Sequence, residues 1–563
     1  MPSNTKRWQI APPIPPETQQ ELDLFHPVLQ QILYARGYTH RSTALAFLDA
    51  DPAFNTDPFQ IGGIMQAVDR IRRAIQHRES IAVYGDYDAD GVTATALLNQ
   101  VLHRLGAEVR GYIPNRFDEG YGLNMDALES LSQSGVRLVI SVDCGIRSPD
   151  EARFAKSKSL DLIISDHHHP GLEIPEAIAV INPKMPGDPY PEKNLAGVGL
   201  AYKLASALTP GADSSIADGC LDLVALGTVA DMVPILGENR SLVRRGLKRI
   251  RQPTRQGLIA LMGVSGLQSE NVTASDIGYI LGPRLNAAGR LDTAISSLNL
   301  LLTQDMFEAG QLAQLLELQN RERQQITQQI QQDAEQLALA NDPEPLLMFA
   351  SSPDYNPGVV GLAASRLTEK YYRPAIVAFT GVEFTRGSCR SIPEFHITQA
   401  LDQCADLLDH HGGHAAAAGF TVRNHFVPEL IDRLRQIAAK ALSPLELQPT
   451  IKADVEIHLS ELKPELLKYL DWLQPTGIGN PQAYFVSRDL AVRSSRPVGR
   501  DNTHLKLTVT DGEITYDAIA FRQGHWSDHL PRRIDILYSF ETNQYNGRKF
   551  LQLNIKDIKP SGA

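Results

Sequence analysis

Between residues 79 and 182 the chain alternates short apolar runs with helix-like stretches. The runs are SIAVYG (80–85), EVRGYIP (108–114), RLVISVD (137–143), DLIISD (161–166) and AIAVIN (177–182). TATALLNQVLHRLG and MDALESLSQSG lie between the early ones. Strands alternating with helices predict a parallel sheet in an α/β layer. Residues 195–260 read as helical, including the apolar LDLVALGTVADMVPIL. Residues 300–340 hold no glycine beyond Gly310 and no proline, which predicts a long helix, polar enough to be exposed along much of its length. It either bridges two domains or docks on a surface.

Strand-like runs return at 345–440 (PLLMFAS, PAIVAFT, AAAAGFTV) and predict a second α/β domain. Beyond about 450 five short runs, DLAVRS, THLKLTV, ITYDAIAF, IDILYSF and RKFLQLNI, predict a small all-β barrel of OB type. Asp511-Gly512 and Asn546-Gly547 are its hairpin signals. The expected architecture is two α/β domains joined by a long helix, plus a C-terminal all-β barrel. Its boundaries are an N-terminal extension, Pro-rich and then helical, at 1–75, a first α/β domain at 76–300, the helix at 301–340, a second α/β domain at 341–445 and the barrel at 446–563.

The net charge of −11 excludes a uniformly basic nucleic-acid coat but not a local basic channel. From Arg488 onward there are twelve Lys and Arg against nine Asp and Glu, so this C-terminal stretch is net basic in an acidic chain. The four cysteines show no C-x-x-C spacing, which removes zinc-ribbon and thioredoxin readings and fits a reducing compartment. No apolar run suits a signal peptide or a membrane span, so a soluble, cytoplasmic protein is expected.

The strongest local signal is GDYDADG (85–91), which places Asp86, Asp88 and Asp90 after the first predicted strand. Crowded carboxylates are costly unless a cation neutralises them, and sites in open α/β sheets form at the carboxyl ends of strands. Asp143 ends a second strand, and Asp166 with His167, His168 and His169 ends a third. Asp231 interrupts an apolar run where a lone buried acid would be expensive. Acids and histidines without a cysteine ligand point to a two-metal site and to phosphoester hydrolysis.

The second α/β domain carries donors instead. RGSCRS (386–391) is read as a turn presenting Arg386, Ser388 and Arg390. HHGGHAAAAGF (410–420) sets His414 before a small-residue helix, and NPGVVGLAASRL (356–367) is a glycine-containing helix start. GPRLNAAGR (282–290) adds Arg284 and Arg290. Glycine-rich turns and helix N-termini suit phosphate, so these motifs describe an anion-gripping half opposite a metal half.

GDYDADG, SVDCG, SDHHH and GTVADMVP resemble the ordered motifs of the DHH phosphoesterase superfamily, and GSCRS and GGHAAAAGF resemble its DHH-associated domain. The resemblance covers about 75–560. It implies a metal-dependent 5′→3′ exonuclease that hydrolyses single-stranded DNA to 5′-mononucleotides in repair and recombination. It further implies two Mn²⁺ or Mg²⁺ ions on Asp88, Asp90, Asp143, His167 and Asp231, with Asp86 and His168 steering a ligand or contacting the scissile phosphate. Ser388 and Arg390 match a pocket for a 5′-terminal phosphate, with help from Arg284 or Arg290, and His414 would lie near the nucleotide. The implied partners are single-stranded DNA with a 5′ end, a single-strand-binding protein and a helicase, and the expected state is a monomer.

The chain departs from the pattern at Tyr84, where several members have a metal-binding histidine, and at Cys389, where glycine is common. Phe521, Trp526, Tyr538, Phe540 and Tyr545 are candidate base-stacking platforms. Activity is expected to fall on acidification as His167 protonates. The competing readings are a small-substrate phosphoesterase (oligoribonuclease or cyclic dinucleotide phosphodiesterase) and a non-catalytic replication scaffold.

Overall fold

The structure, a computed structural model, describes residues 6–52, 56–340, 342–545 and 548–562. The chain divides into two units: residues 57–231 with 245–449, and residues 6–56 with 232–244 and 450–563.

The first unit opens with a five-stranded parallel sheet in the order Glu108–Tyr112, Ser80–Gly85, Val136–Val142, Asp161–Ser165, Ala179–Ile181. The order reverses between the strands Ser80–Gly85 and Val136–Val142, so the loops at their carboxyl ends part and leave a crevice. Helices Ala89–Arg104, Gly197–Leu208 and Leu221–Ala230 pack together and bury almost every residue, which is why their sequences are apolar all round.

The long helix is Met306–Leu339, 34 residues. It packs on Gly282–Leu291 and Gln256–Val264 near its start and on Val360–Tyr371 near its end, so it both docks and bridges. It is less exposed than its polarity suggests. Small residues on one face (Ala309, Ala313, Ala334, Ala338) let it lie close to its neighbours, while most of its glutamines face out.

A second sheet follows, ordered Leu408–His414, Ala417–Arg423, Phe384–Arg390, Ala375–Thr380, Met348–Ser352. Two expectations are corrected here. RGSCRS is not a turn but lies in the strand Phe384–Arg390, hydrogen-bonded on both edges. The alanines after His414 are not a helix but run into the strand Ala417–Arg423. The small residues serve packing across the ladder: a Cβ on Gly387 would lie 2.3 Å from the Phe420 ring. Cys389 is fully buried in this domain's core.

In the second unit the strands Phe485–Val498, His504–Thr510, Thr515–Ala520, Arg548–Pro560 and Arg533–Tyr545 close into a barrel, since the last also pairs with the first. Asp511-Gly512 turns the chain between His504–Thr510 and Thr515–Ala520, with Gly512 at φ +103°. Asn546-Gly547 and the side chain of Tyr545 lie outside the described residues. Tyr538 and Phe540 are core residues and not stacking platforms, and Tyr538 shares a hydrogen bond with Ser487. Trp526 packs partly buried against the core, while Phe521 is 53% exposed.

The stretch 1–75 is shared between the units. Helix Ile64–His77 belongs to the first. Residues 6–52 build into the second: Arg7–Ile10 pairs in parallel with Thr450–Ala453, and Leu22, Leu29, Ile32 and Leu33 join the barrel core. Among the described residues no helix is long and apolar enough to cross a membrane.

Arg240 ties the second unit together. Its guanidinium is buried and donates to the carbonyls of Phe47, Trp472, Leu473, Gln474 and Pro475. Arg240→Met would strand these acceptors away from water. It should lower unfolding stability by on the order of 3 kcal/mol, read by chemical denaturation followed through barrel fluorescence. A loss within ±0.5 kcal/mol would show that water replaces the guanidinium.

Candidate metal centre and anion pocket

The acids gather at the carboxyl edge of the parallel sheet. Asp86 follows the strand Ser80–Gly85 directly. Asp88 caps the helix Ala89–Arg104, its Oδ1 accepting from the amides of Asp90 (2.9 Å) and Gly91 (3.1 Å). Asp90 reaches across to the start of Gly197–Leu208 and accepts the amides of Gly197 (2.7 Å) and Val198 (2.8 Å). A helix N-terminus therefore carries part of its charge. Asp143 ends the strand Val136–Val142 at φ +63°, a left-handed conformation uncommon outside glycine. Asp231 caps the C-terminus of Leu221–Ala230.

His167 lies among them, its Nε2 3.1 Å from Asp143 Oδ1 and 3.6 Å from Asp231 Oδ2. Both ring nitrogens of His167, one oxygen each of Asp86 and Asp143, and Oδ2 of Asp231 are buried without a hydrogen-bond partner among the described residues. Such orphaned atoms facing one another are costly unless something between them is positive. Three sets offer ligand atoms within 4.8 Å of one another: Asp86, Asp88 and Asp143; Asp90, His167 and Asp231; Asp143, His167 and His168. The first two describe adjoining seats, and oxygen with imidazole but no sulfur suits Mn²⁺ or Mg²⁺. The donor set fits the implied ions.

The electrostatics agree with that fit. Burial, with Asp88 nearby, pushes Asp90 up to about 7. Burial, with Asp90 and Asp88, pushes Asp231 up to about 9. Asp86 and Asp143 are raised well above the usual carboxylate range, again by burial first. Burial holds His167 down at about 3, so it is neutral and free to ligate. In the cation-free centre burial thus works against a proton on His167 and in favour of protons on the carboxylates.

Asp166 plays a different part from its neighbours. It is buried and accepts from the amides of Ile146 (2.9 Å) and His168 (3.0 Å) and from His168 Nδ1 (2.8 Å). Those bonds outweigh burial and keep it below the usual range. Asp166 thus orients His168, whose own pKa is raised because the Asp166 bond outweighs burial. Tyr84 belongs to the domain core: its hydroxyl donates to the Gly122 carbonyl (3.1 Å) and its ring stacks on Tyr112.

Across from the acids stand cations. Ser388 and Arg390 occupy one face of the strand Phe384–Arg390, against the start of helix Val360–Tyr371. A Cβ on Gly361 would lie 3.0 Å from both Ser388 Oγ and an Arg390 nitrogen. Arg290 donates to the Gly358 carbonyl (3.2 Å), and burial pushes it down to about 10 in the fields of Arg116, Arg323, Asp88 and Arg390. Arg284 is not in this group, because Glu317 of the long helix holds it at 2.7 Å. Of the two arginines, Arg290 is the one that stands with Arg390 in this cationic group. Arg116 was not singled out from sequence. It lies 5.0 Å over the Tyr87 ring and acts on Asp86, Arg290 and Arg390. A basic residue just past the strand Glu108–Tyr112, on the same sheet edge as the acids, was the available signal. His414 is exposed at the end of the strand Leu408–His414, its ring 6.2 Å from that of His169.

Raised carboxyl pKa values mean that the cation-free centre holds protons at neutral pH, so cation uptake must release them. Mn²⁺ affinity should rise by more than tenfold from pH 6 to pH 8, with net proton release in calorimetry across buffers of different ionisation enthalpy. Absence of proton release would contradict this account. The fold carries the same sign. A carboxyl raised above its unfolded value costs stability increasingly as pH climbs through that window. Asp231→Asn should therefore raise the melting temperature of the cation-free protein, more at pH 8 than at pH 5, while abolishing uptake at its seat. Gly197→Ala tests the packing: its Cβ would fall 2.7 Å from the Asp143 Cβ. It should weaken Mn²⁺ binding roughly 10–100-fold, and unchanged binding would show that Asp143 can move freely.

Three family models match the chain: the DHH family, N-terminal domain, over residues 80–228, the DHHA1 domain over 345–443, and the RecJ OB domain over 453–557. The single-stranded-DNA-specific exonuclease RecJ of Bacillus subtilis is 38% identical over 561 residues, spanning 99% of this chain and 71% of that protein. The same-named protein of Dickeya dadantii is 36% identical, spanning 89% of this chain and 91% of its own length. The crystal structure of RecJ from Thermus thermophilus in complex with Mn²⁺ matches with a TM-score of 0.84 at 29% identity, covering 99% of this chain and 80% of that one. With this domain series, and identity of that level over nearly its whole length, the chain belongs to the RecJ family of the DHH phosphoesterases.

Proposed function

We propose that this chain is a metal-dependent exonuclease that takes single-stranded DNA by its 5′ end and releases 5′-mononucleotides. The observation that carries the reading is the convergence of orphaned, buried ligand atoms on Asp86, Asp143, His167 and Asp231 beside arginines that form no ion pair among the described residues. The curated relatives above are named as exonucleases specific for single-stranded DNA.

Asp88, Asp90, Asp143, His167 and Asp231 would hold two cations, with Asp86 completing the first seat rather than acting apart from it. When bound, the ions supply Lewis-acid polarisation of the phosphodiester and activation of water. The remaining steps belong to the chain. Ser388 and Arg390, with Arg290 and Arg116, bind the 5′-terminal phosphate and so set which phosphodiester lies over the acids. His168, oriented by Asp166 and half exposed, reaches that phosphodiester as a hydrogen-bond donor. His414 approaches the nucleotide from the second sheet. In the barrel, Arg493, Arg496 and Arg500 are exposed, and Phe521 packs edge-on to His504, which suits a groove that tracks a strand by charge and stacking. A small-substrate phosphoesterase would have no use for that groove, and a scaffold would have no use for intact ligand atoms. A cytoplasmic monomer working with a single-strand-binding protein and a helicase fits a substrate that must be exposed before it is cut.

Digestion of single strands labelled at either end, with Mn²⁺ or Mg²⁺, tests activity, polarity and metal together. Release of 5′-label as mononucleotide is expected, and first release from the 3′ end would sink the polarity. Asp143→Ala should reduce hydrolysis at least a thousandfold with the fold retained. Arg390→Ala should remove most of the preference for a 5′-phosphate over a 5′-hydroxyl, about tenfold or more, seen mainly in KM.

A further inference from the structure

A cleft beside His169 has no part in the proposed reaction. The segment after the strand Ala179–Ile181 forms a cleft of about 500 Å³ whose lining includes His169, Lys184, Asp188 and Lys193. Two of its charged groups are already spent. Lys193 donates to the carbonyls of Pro183 (2.7 Å) and Asp188 (2.8 Å). The Asp188 carboxylate accepts the amides of Gly62 (2.8 Å) and Tyr190 (2.9 Å) and faces Lys193 at 3.8 Å.

Lys184 is different. Among the described residues its ammonium makes no hydrogen bond or ion pair, yet it is half-buried, and its charge is felt by Asp231, Asp166, His167 and His169. Its backbone is fixed to the centre through Asn182. That fully buried amide donates to the His168 carbonyl (2.8 Å) and accepts the Lys184 amide (2.8 Å). Nearby, Arg147 donates to the His169 carbonyl (2.8 Å), and the His169 ring meets that of His414. Lys184, Arg147, His168 and His414 are thus grouped around His169.

A half-buried, unpaired ammonium beside a cleft needs an anion. The sheet register indicates which one. His414 pairs with Ala417, and Ala417 pairs with Arg390. His414 therefore stands two strand spacings, about 10 Å, from the residue assigned to the 5′-phosphate. An extended strand anchored at Arg390 and crossing the acids would run on toward the side where His414 meets His169.

We propose that Lys184, with His169 and His414, holds the backbone phosphate immediately 3′ of the scissile one, so that the enzyme reads at least three consecutive phosphates. This rests on the exonuclease reading and adds a subsite to it. A lysine there gains a charge-assisted bond to phosphate only when the substrate extends past the cut.

A pair of short substrates isolates the contact. The 5′-phosphorylated thymidine dinucleotide has a terminal and a scissile phosphate, and the trinucleotide adds the one in question. With Mn²⁺ and the full chain, wild type should favour the trinucleotide in kcat/KM. Lys184→Ala should lower the trinucleotide-to-dinucleotide ratio about tenfold, and Lys184→Arg should restore most of it. A neutral methylphosphonate at the second linkage should penalise wild type and leave Lys184→Ala with little further loss. A ratio unchanged by Lys184→Ala overturns the proposal, whether both rates fall together, as for a residue acting on the acids, or neither falls. If wild type cleaves neither these substrates nor a 5′-phosphorylated 30-mer, the exonuclease reading itself fails, and the subsite with it.

Discussion

Mutual repulsion among carboxylates is the constraint around which the first unit is arranged. Asp86, Asp90 and Asp143 are buried and Asp88 and Asp231 half-buried, all at one edge of one sheet. Water cannot screen charges so placed, and no lysine or arginine pairs with any of them within 4 Å among the described residues. The fold supplies partial answers. Helix N-terminal amides hold Asp88 and Asp90, and glycines let the backbone come close enough for this. A Cβ on Gly227, for example, would lie 2.8 Å from an oxygen of Asp90. These contacts restrain the acids without neutralising them, and bound cations would complete the arrangement.

The opposite sign is kept nearby but apart. Arg116, Arg290 and Arg390 repel one another and lie within reach of the acids' field without forming ion pairs among the described residues. Arg284, on the same helix as Arg290, is spent on Glu317 and secures the long helix instead. The long helix packs against elements of both α/β domains, so the distance between the Ser388 and Arg390 pocket and the acids is set by packed side chains rather than by a flexible linker. An overall charge of −11 is compatible with binding a polyanion because the charge is partitioned locally.

Much of the site was legible because chemistry and periodicity coincided. Asp-x-Asp-x-Asp after an apolar run, and a histidine run after another, fall at strand ends in any α/β reading. The failures have one physical source, that local composition cannot report cross-strand pairing. RGSCRS looks like a turn because it is small and polar, yet Phe384–Arg390 is a central strand whose glycine makes room for Phe420. Tyr538 and Phe540 look like stacking platforms, yet barrel closure turns them inward. Asp166 and Asp143 look alike, and only the amides of Ile146 and His168 separate the support from the open carboxylate.

By itself the sequence determined the order of elements, the parallel sheet, the long helix, the barrel and the residue types of the metal centre. Each follows from short-range patterns of apolar spacing and turn chemistry. Only the tertiary structure decided which atoms are left without partners, because that depends on what distant segments bring: Gly197 and Val198 to Asp90, Glu317 to Arg284, Asn182 to His168 and Lys184. It also decided that residues 6–52 complete the barrel unit, since a core is defined by closure in space and not by adjacency along the chain.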